Sequence, residues 1–143
     1  MHKMKVLFVC IHNSARSQMA EAFLKKYGED KFEVESAGIE PGILNQNVVG
    51  VMKEAGIDIS DNGTKSVFDF YRSGNAYDYV IAVCDQAKAE MCPVFPGNGK
   101  KLHWSFEDPS GFEGTNEEIM NKTREVRNRI EIKIKDWLKD LHF

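Results

Sequence analysis

The stretch Lys5–Ser17, KVLFVCIHNSARS, decides how this chain is built. Lys5–Cys10 is short, apolar and rich in β-formers, which is the pattern of a buried strand. The next residues, Ile11–Arg16, are mostly polar and form the loop. Beyond them Ser17–Tyr27 reads as a helix, with Met19, Ala20, Phe23, Leu24 and Tyr27 at helical spacing and Gly28 available to cap it. A loop between a buried strand and a helix N-terminus can aim successive backbone N–H groups at one point, with the helix dipole behind them. Arg16 adds a planar, bidentate donor suited to a tetrahedral oxyanion. That positive surrounding favours the nucleophilic thiolate of Cys10, and Ser17 is placed to donate a hydrogen bond to its sulfur. The oxyanion cradle is therefore Cys10, Ile11, His12, Asn13, Ser14, Ala15, Arg16 and Ser17. It contains no glycine, so it is not a nucleotide-type phosphate loop. Asn13 is the residue best suited to a left-handed backbone position. His12 reads as an ordinary loop side chain.

The same alternation continues outward. Phe32–Ser36 is a second strand, closed by Gly38 and Pro41, and Gln46–Ala55 a helix with Val48, Val49, Met52 and Ala55 on one face. Asp61–Gly63 is a turn, and Val67–Tyr71 a short helix. Tyr77–Cys84 is a third buried strand, Gln86–Met91 a short helix stopped by Pro93, and Lys101–Ser105 a fourth strand. Glu117–Leu141 is a long amphipathic helix whose Lys133, Lys135, Lys139 and Asp140 form a solvated face. Strands alternating with helices predict an α/β fold, a single domain over residues 1–143 with a four-stranded parallel sheet and helices on both faces. Ligands bind beyond the carboxyl ends of such strands. Cys10 and Cys84, 74 positions apart, both fall at such ends and are expected to share one crevice.

Bulk properties agree with one globular domain built around one sizeable core. The chain has 143 residues, 42% hydrophobic and 29% charged, with a net charge of −3. That is globular composition, with no surplus of positive charge for nucleic acid or an acidic membrane. The longest apolar runs fall far short of the ~20 residues that span a bilayer, and Met1–Lys5 carries no signal-peptide pattern. Three cysteines in a chain that needs no staples point to the reducing cytoplasm. A monomer is expected.

Val6–Phe23, VLFVCIHNSARSQMAEAF, resembles the N-terminus of the low-molecular-weight tyrosine phosphatase superfamily, and Ser36–Gly38 and Glu107–Gly111 fit it too. Within it the chain is more similar to the thioredoxin-coupled arsenate reductases. His12–Ala15 resembles their version of the loop. Asp108-Pro109 is followed by Ser110, where the phosphatases carry an aromatic residue for phosphotyrosine. Val80–Gly97 resembles the reductase segment that holds a second and a third redox cysteine, here Cys84 and Cys92.

The resemblance implies a cycle. Cys10 attacks arsenate, Asp108 acts as general acid, and Cys84 attacks Cys10 to release arsenite. Cys92 then attacks Cys84, and reduced thioredoxin opens the Cys84–Cys92 disulfide, with no tightly bound cofactor. Cys84 and Cys92 are eight positions apart. A helical span of that length separates Cα atoms by ~12 Å, whereas a disulfide needs about 4.4–6.8 Å. Oxidation is therefore expected to loop out residues 84–97 and to carry Cys92 from a mobile position to an exposed one. Some relatives bind potassium beside the loop, at positions matched here by Asn13, Glu21 and Ser36. Their further acidic ligand is missing, and Lys65 is expected to replace the ion by pairing with Glu21. Two rivals stay open: a tyrosine phosphatase using the same loop, and a non-enzymatic thiol protein binding metal or arsenite through Cys10, Cys84, Cys92 and His103.

Overall fold

A computed structural model describes residues 3–84 and 91–141. Its centre is β1 (Met4–Cys10), whose Val6–Cys10 is buried from end to end because other strands flank it on both sides. On one side lies β2 (Phe32–Gly38), on the other β3 (Tyr79–Ala82) and then β4 (Lys100–His103). All pairings are parallel, in the order β2-β1-β3-β4. The order reverses between β1 and β3, and the carboxyl end of β1 at that reversal is where such sheets form their binding crevice.

Alternate residues of β1 serve two cores. Val6, Phe8 and Cys10 pack with α1 (Arg16–Gly28), α2 (Gln46–Glu54) and α4 (Asn116–Asp140). Leu7 and Val9 face the other side, against α3 (Val67–Arg72) and residues around Cys92. This is the expected α/β sheet with helices on both faces. The long helix starts on a capping box, Thr115 with Glu118, and buries Val126, Ile130, Ile134 and Trp137 at helical spacing. Of its charged face, Lys133 lies over the Trp104 ring and Lys135 over the Tyr27 ring.

Several expected details are corrected. The apolar run Tyr77–Cys84 is regular strand only over Tyr79–Ala82. Apolar composition tracks burial, and burial outlasts the ladder here. On α2 the inward residues are Val48, Val51 and Met52, whereas Val49 and Ala55 lie at the margin. Gly28 does not take the left-handed cap position; Glu29 does, at φ 54°. Gly28 is needed for space, because a Cβ there would sit 2.5 Å from the Phe32 ring. The helix expected over Gln86–Met91 lies outside the described residues, apart from Met91, which is in a turn.

Helices α2 and α4 are tied by Glu54, which accepts from Arg124 at 2.8 Å through both oxygens and from Arg127 at 3.2 Å. Hydrogen bonds from Arg124 above all hold the Glu54 carboxyl down to about 2. A carboxyl lowered by folding stabilises the native state above its unfolded value, near 4.5, and ceases to as pH falls toward 2. Glu54→Gln should therefore melt below wild type at neutral pH, with the gap closing as pH falls from about 5 toward 2. Melting both proteins across that range by circular dichroism checks this; a gap that widens on acidification would contradict it.

Candidate active site

The Cys10–Arg16 loop is shaped by what happens to its carbonyl groups. Those of Cys10, Ile11, His12 and Ser14 accept from the N–H groups of Ile39, Glu40, Gly42 and Asn45, at 2.8–3.1 Å. The Asn13 carbonyl accepts from Gln18 Nε2 at 3.1 Å and that of Ala15 from Met19 N at 3.0 Å. All six carbonyls are thus committed to partners outside the cradle. In a planar trans peptide the N–H lies opposite the carbonyl. Fixing the carbonyls outward therefore turns the following N–H groups inward, toward the space above Cys10. No glycine is required, because Asn13 takes the left-handed position at φ 54°.

The sulfur of Cys10 is met by two donors. Asn13 N–H lies 3.1 Å from it and Ser17 Oγ 2.8 Å. The direction of the Ser17 bond follows from its neighbours. Asn13 Nδ2 donates to Ser17 Oγ at 2.8 Å and to Ser36 Oγ at 2.9 Å. Its Oδ1 accepts from Lys65 N at 3.0 Å and from Gln18 Nε2 at 3.3 Å. The amide orientation is therefore determined, and the Ser17 hydroxyl, already an acceptor, has its proton free for the sulfur. Ser36 in turn donates to Glu21 Oε1.

Arg16 is buried, with Nη1 on the Phe106 carbonyl at 3.1 Å and Nη2 3.5 Å from Asp108 Oδ2. Asp108 is 37% exposed, so it can exchange protons with solvent. Its other oxygen accepts from Ser110 N at 3.0 Å. The expected acid and the expected anion clamp are thus side by side. His12 lies outside this set, its Nδ1 2.8 Å from the Glu40 carbonyl.

The cation expectation is corrected. Asn13, Glu21 and Ser36 do come together, but Lys65 does not pair with Glu21. Its ammonium donates to the Gly63 carbonyl at 3.2 Å, and its backbone N–H serves Asn13. Glu21 pairs with Lys25, one helical turn away, at 2.6 Å. Both Glu21 oxygens are occupied, and Asn13 presents its NH2 to Ser36. Arranged so, the group does not fit a cation.

All three cysteines are free thiols, and all are buried. Cys84 shares the apolar cluster of Cys10. Cys92 belongs to the other cluster, with Leu7, Val9, Ala37, Ile39, Val67, Tyr77 and Val80. Two cysteines eight positions apart therefore lie on opposite faces of the sheet. Cys92, which oxidation is expected to carry to an exposed position, is 5% exposed while the thiols are free. Burial pushes its thiol pKa up, and the charge of Lys101 offsets part of the rise. Just beyond it, Phe95 lies edge-on to Tyr77 and Tyr71, with ring centroids at 5.1 and 5.9 Å. The separation of Cys92 also breaks up the four-ligand set of the thiol-metal reading. Among the described residues no three His, Cys, Asp or Glu side chains converge.

The sequence reading missed Gln18, the 39–45 strap and the role of Gly38. A Cβ on Gly38 would lie 2.7 Å from Asn13 N and 2.8 Å from the Ile11 carbonyl oxygen. The one available signal was the glycine ending the Ser36–Gly38 triplet.

Against this geometry, the family model for the low molecular weight phosphotyrosine protein phosphatase matches residues 5–142. The chain belongs to that family. Within the phosphatase family it is similar to an arsenate reductase of Halalkalibacterium halodurans, 45% identical over 96% of each chain. It is also similar to a solved arsenate reductase in a phosphate-binding state, with 31% identity, a TM-score of 0.75, and 96% of this chain and 98% of that one covered. A thioredoxin-dependent arsenate reductase of Corynebacterium glutamicum superposes with a TM-score of 0.71 at 30% identity, over 98% of this chain and 62% of that one.

Two substitutions test the cradle. Gly38→Ala should destabilise the fold by about 1–3 kcal/mol through overpacking and weaken phosphate binding, read by thermal melts and calorimetric titration. Unchanged binding would refute the close approach. Ser17→Ala removes the hydroxyl that lies 2.8 Å from the Cys10 sulfur. It should slow alkylation of Cys10 by iodoacetamide on the order of tenfold at neutral pH, measured by mass spectrometry of the Cys10 peptide in a Cys84→Ser, Cys92→Ser background.

Proposed function

We propose that this chain reduces arsenate to arsenite by passing two electrons through its three thiols, and that thioredoxin restores them. The observation that carries the reading is the placing of a second buried thiol, Cys84, in the cluster of a cysteine that already sits in an oxyanion cradle. Hydrolysis needs only the cradle, whereas reduction needs a thiol within reach of it.

The residues suit the steps. Arsenate enters the ring of loop N–H groups and pairs with Arg16, displacing Asp108 from the guanidinium. The Cys10 thiolate attacks arsenic, and Asp108 protonates the departing oxygen, which leaves as water. Cys84 then attacks the Cys10 sulfur. A Cys10–Cys84 bond forms, the sulfur–arsenic bond breaks, and its electron pair stays on arsenic, which leaves as arsenite. Cys92 attacks Cys84, freeing Cys10. The Cys84–Cys92 bond passes to thioredoxin by thiol–disulfide exchange. Because Cys84 and Cys92 belong to different cores, the second exchange requires at least one of the two to leave its cluster. The thioredoxin-dependent relative supports this choice of reductant. The whole of residues 1–143 serves as one domain, a cytoplasmic monomer. Among the described residues no helix is long and apolar enough to cross a membrane.

The test is arsenate-dependent NADPH oxidation in the presence of thioredoxin and its reductase. Wild type should turn over, and Cys10→Ser should not. Cys84→Ser should stall before arsenite is released, and Cys92→Ser should stop after one turnover with a Cys10–Cys84 disulfide. Hydrolysis of aryl phosphates without any arsenate-dependent disulfide would instead make the chain a phosphatase.

A further inference from the structure

The regular pairing of β3 ends at Ala82. Its carbonyl accepts from Trp104 N at 2.8 Å, a backbone bond from the β4 side. On the β1 side Val83 N donates to the Val9 carbonyl, also at 2.8 Å. Cys84 lies beyond both. Cys84 thus follows the regular strand, and its sulfur has to reach Cys10.

The Cys84 carbonyl is nevertheless held. The His103 side chain, at the last residue of β4, places Nε2 against it. A carbonyl oxygen only accepts, so Nε2 carries the proton and donates. The bond spans 19 positions and stands where the next rung of the ladder would be, made by a side chain instead of the backbone. The difference matters physically. A backbone rung cannot be released without shifting its strand. An imidazole can rotate away about its own side-chain bonds, and His103 is exposed, so it has room to do so.

We propose that His103 is a positioning residue for the sulfur exchange, acting through the backbone of Cys84 as a detachable rung. Engaged, it keeps Cys84 in the cluster of Cys10, where the first disulfide forms. Released, it lets the Cys84 backbone leave for Cys92, which is seated on the opposite face of the sheet. His103 touches neither the oxyanion nor any reacting atom, so the cradle chemistry is indifferent to it. The proposal rests on the reductase reading given above.

The experiment uses the full chain carrying Cys92→Ser, so that the cycle stops at the first disulfide. Arsenate is added, and formation of the Cys10–Cys84 bond is followed by quenching with a thiol-alkylating agent and mass spectrometry. His103→Ala should slow that step at least fivefold. His103→Gln retains an N–H donor of similar reach and should restore at least half of the lost rate. Alkylation of Cys10 by iodoacetamide, which reports on the cradle alone, should match the parent in both variants. Loss of the fold alone would depress alkylation and disulfide formation together.

Equal disulfide rates in parent and His103→Ala overturn the proposal. So does a His103→Gln variant as slow as the alanine, since the donor would then be irrelevant. If His103→Ala is too unstable to assay, His103→Gln against His103→Leu gives the same comparison of donor with no donor. Failure of the reductase reading looks different: the parent itself would form no arsenate-dependent disulfide.

Discussion

The cradle exists because six consecutive carbonyl groups are held away from it. A loop of ordinary L-residues has no intrinsic reason to gather its N–H groups on one side. Here the strap from Ile39 to Asn45 supplies N–H donors to four of the carbonyls, and Gln18 and Met19 take the other two. The strap reaches the loop only because β2 runs beside β1 to its last residue and ends in Gly38, whose missing side chain leaves room for Asn13. The anion site is thus a property of the β1–β2 pairing as much as of the Cys10–Arg16 sequence. Placing β1 at the centre of a parallel sheet brings the helix N-terminus, the strap and the Arg16–Asp108 pair to one edge.

Asn13 is the hub of the second layer. It provides the left-handed turn, one N–H to the Cys10 sulfur, and both amide protons to serines. Its orientation is set by donors to its oxygen, so the proton of Ser17 is directed at the sulfur without any charged group touching it. The carboxylate of Glu21 ends the chain of hydrogen bonds, and Lys25 balances its charge at the surface. Every buried polar side chain among the described residues has a partner, which is what a site that must hold one geometry requires.

The fold was largely readable because its signals are periodic. Strands β1 and β2 are apolar or alternating runs ended by a cysteine loop and a glycine, and α4 carries a long helical stripe. Strand β3 was read too long because Val83 and Cys84 are apolar for reasons of packing, not pairing. The cradle was readable for a different reason: its residues are contiguous, so Cys10, Asn13, Arg16 and Ser17 could be assigned from local chemistry. What spans the chain was not. Lys65 and Lys25 are both lysines near Glu21 by one criterion or another, and only the helical turn from Glu21 to Lys25 decides between them. Nor can spacing reveal that Cys92 lies beneath the sheet while Cys84 lies above it, because burial in either core leaves the same apolar signature in the sequence. The cross-strand contact of His103 with Cys84 depends on β3–β4 register, which a linear pattern does not contain.

The absence of glycine from the loop has a thermodynamic side. Glycine loses more backbone freedom on folding than any other residue, and each replacement by a residue that tolerates the native angles is worth roughly 0.4–1 kcal/mol through the unfolded chain. A cradle of Ile, His, Asn, Ser and Ala starts from a narrower unfolded ensemble than a glycine-rich one. Its left-handed turn falls on asparagine, one of the few side chains that accept it. The entropy of ordering the site is then spent when the protein folds rather than when the anion arrives, and each encounter meets a receptor already in its binding shape.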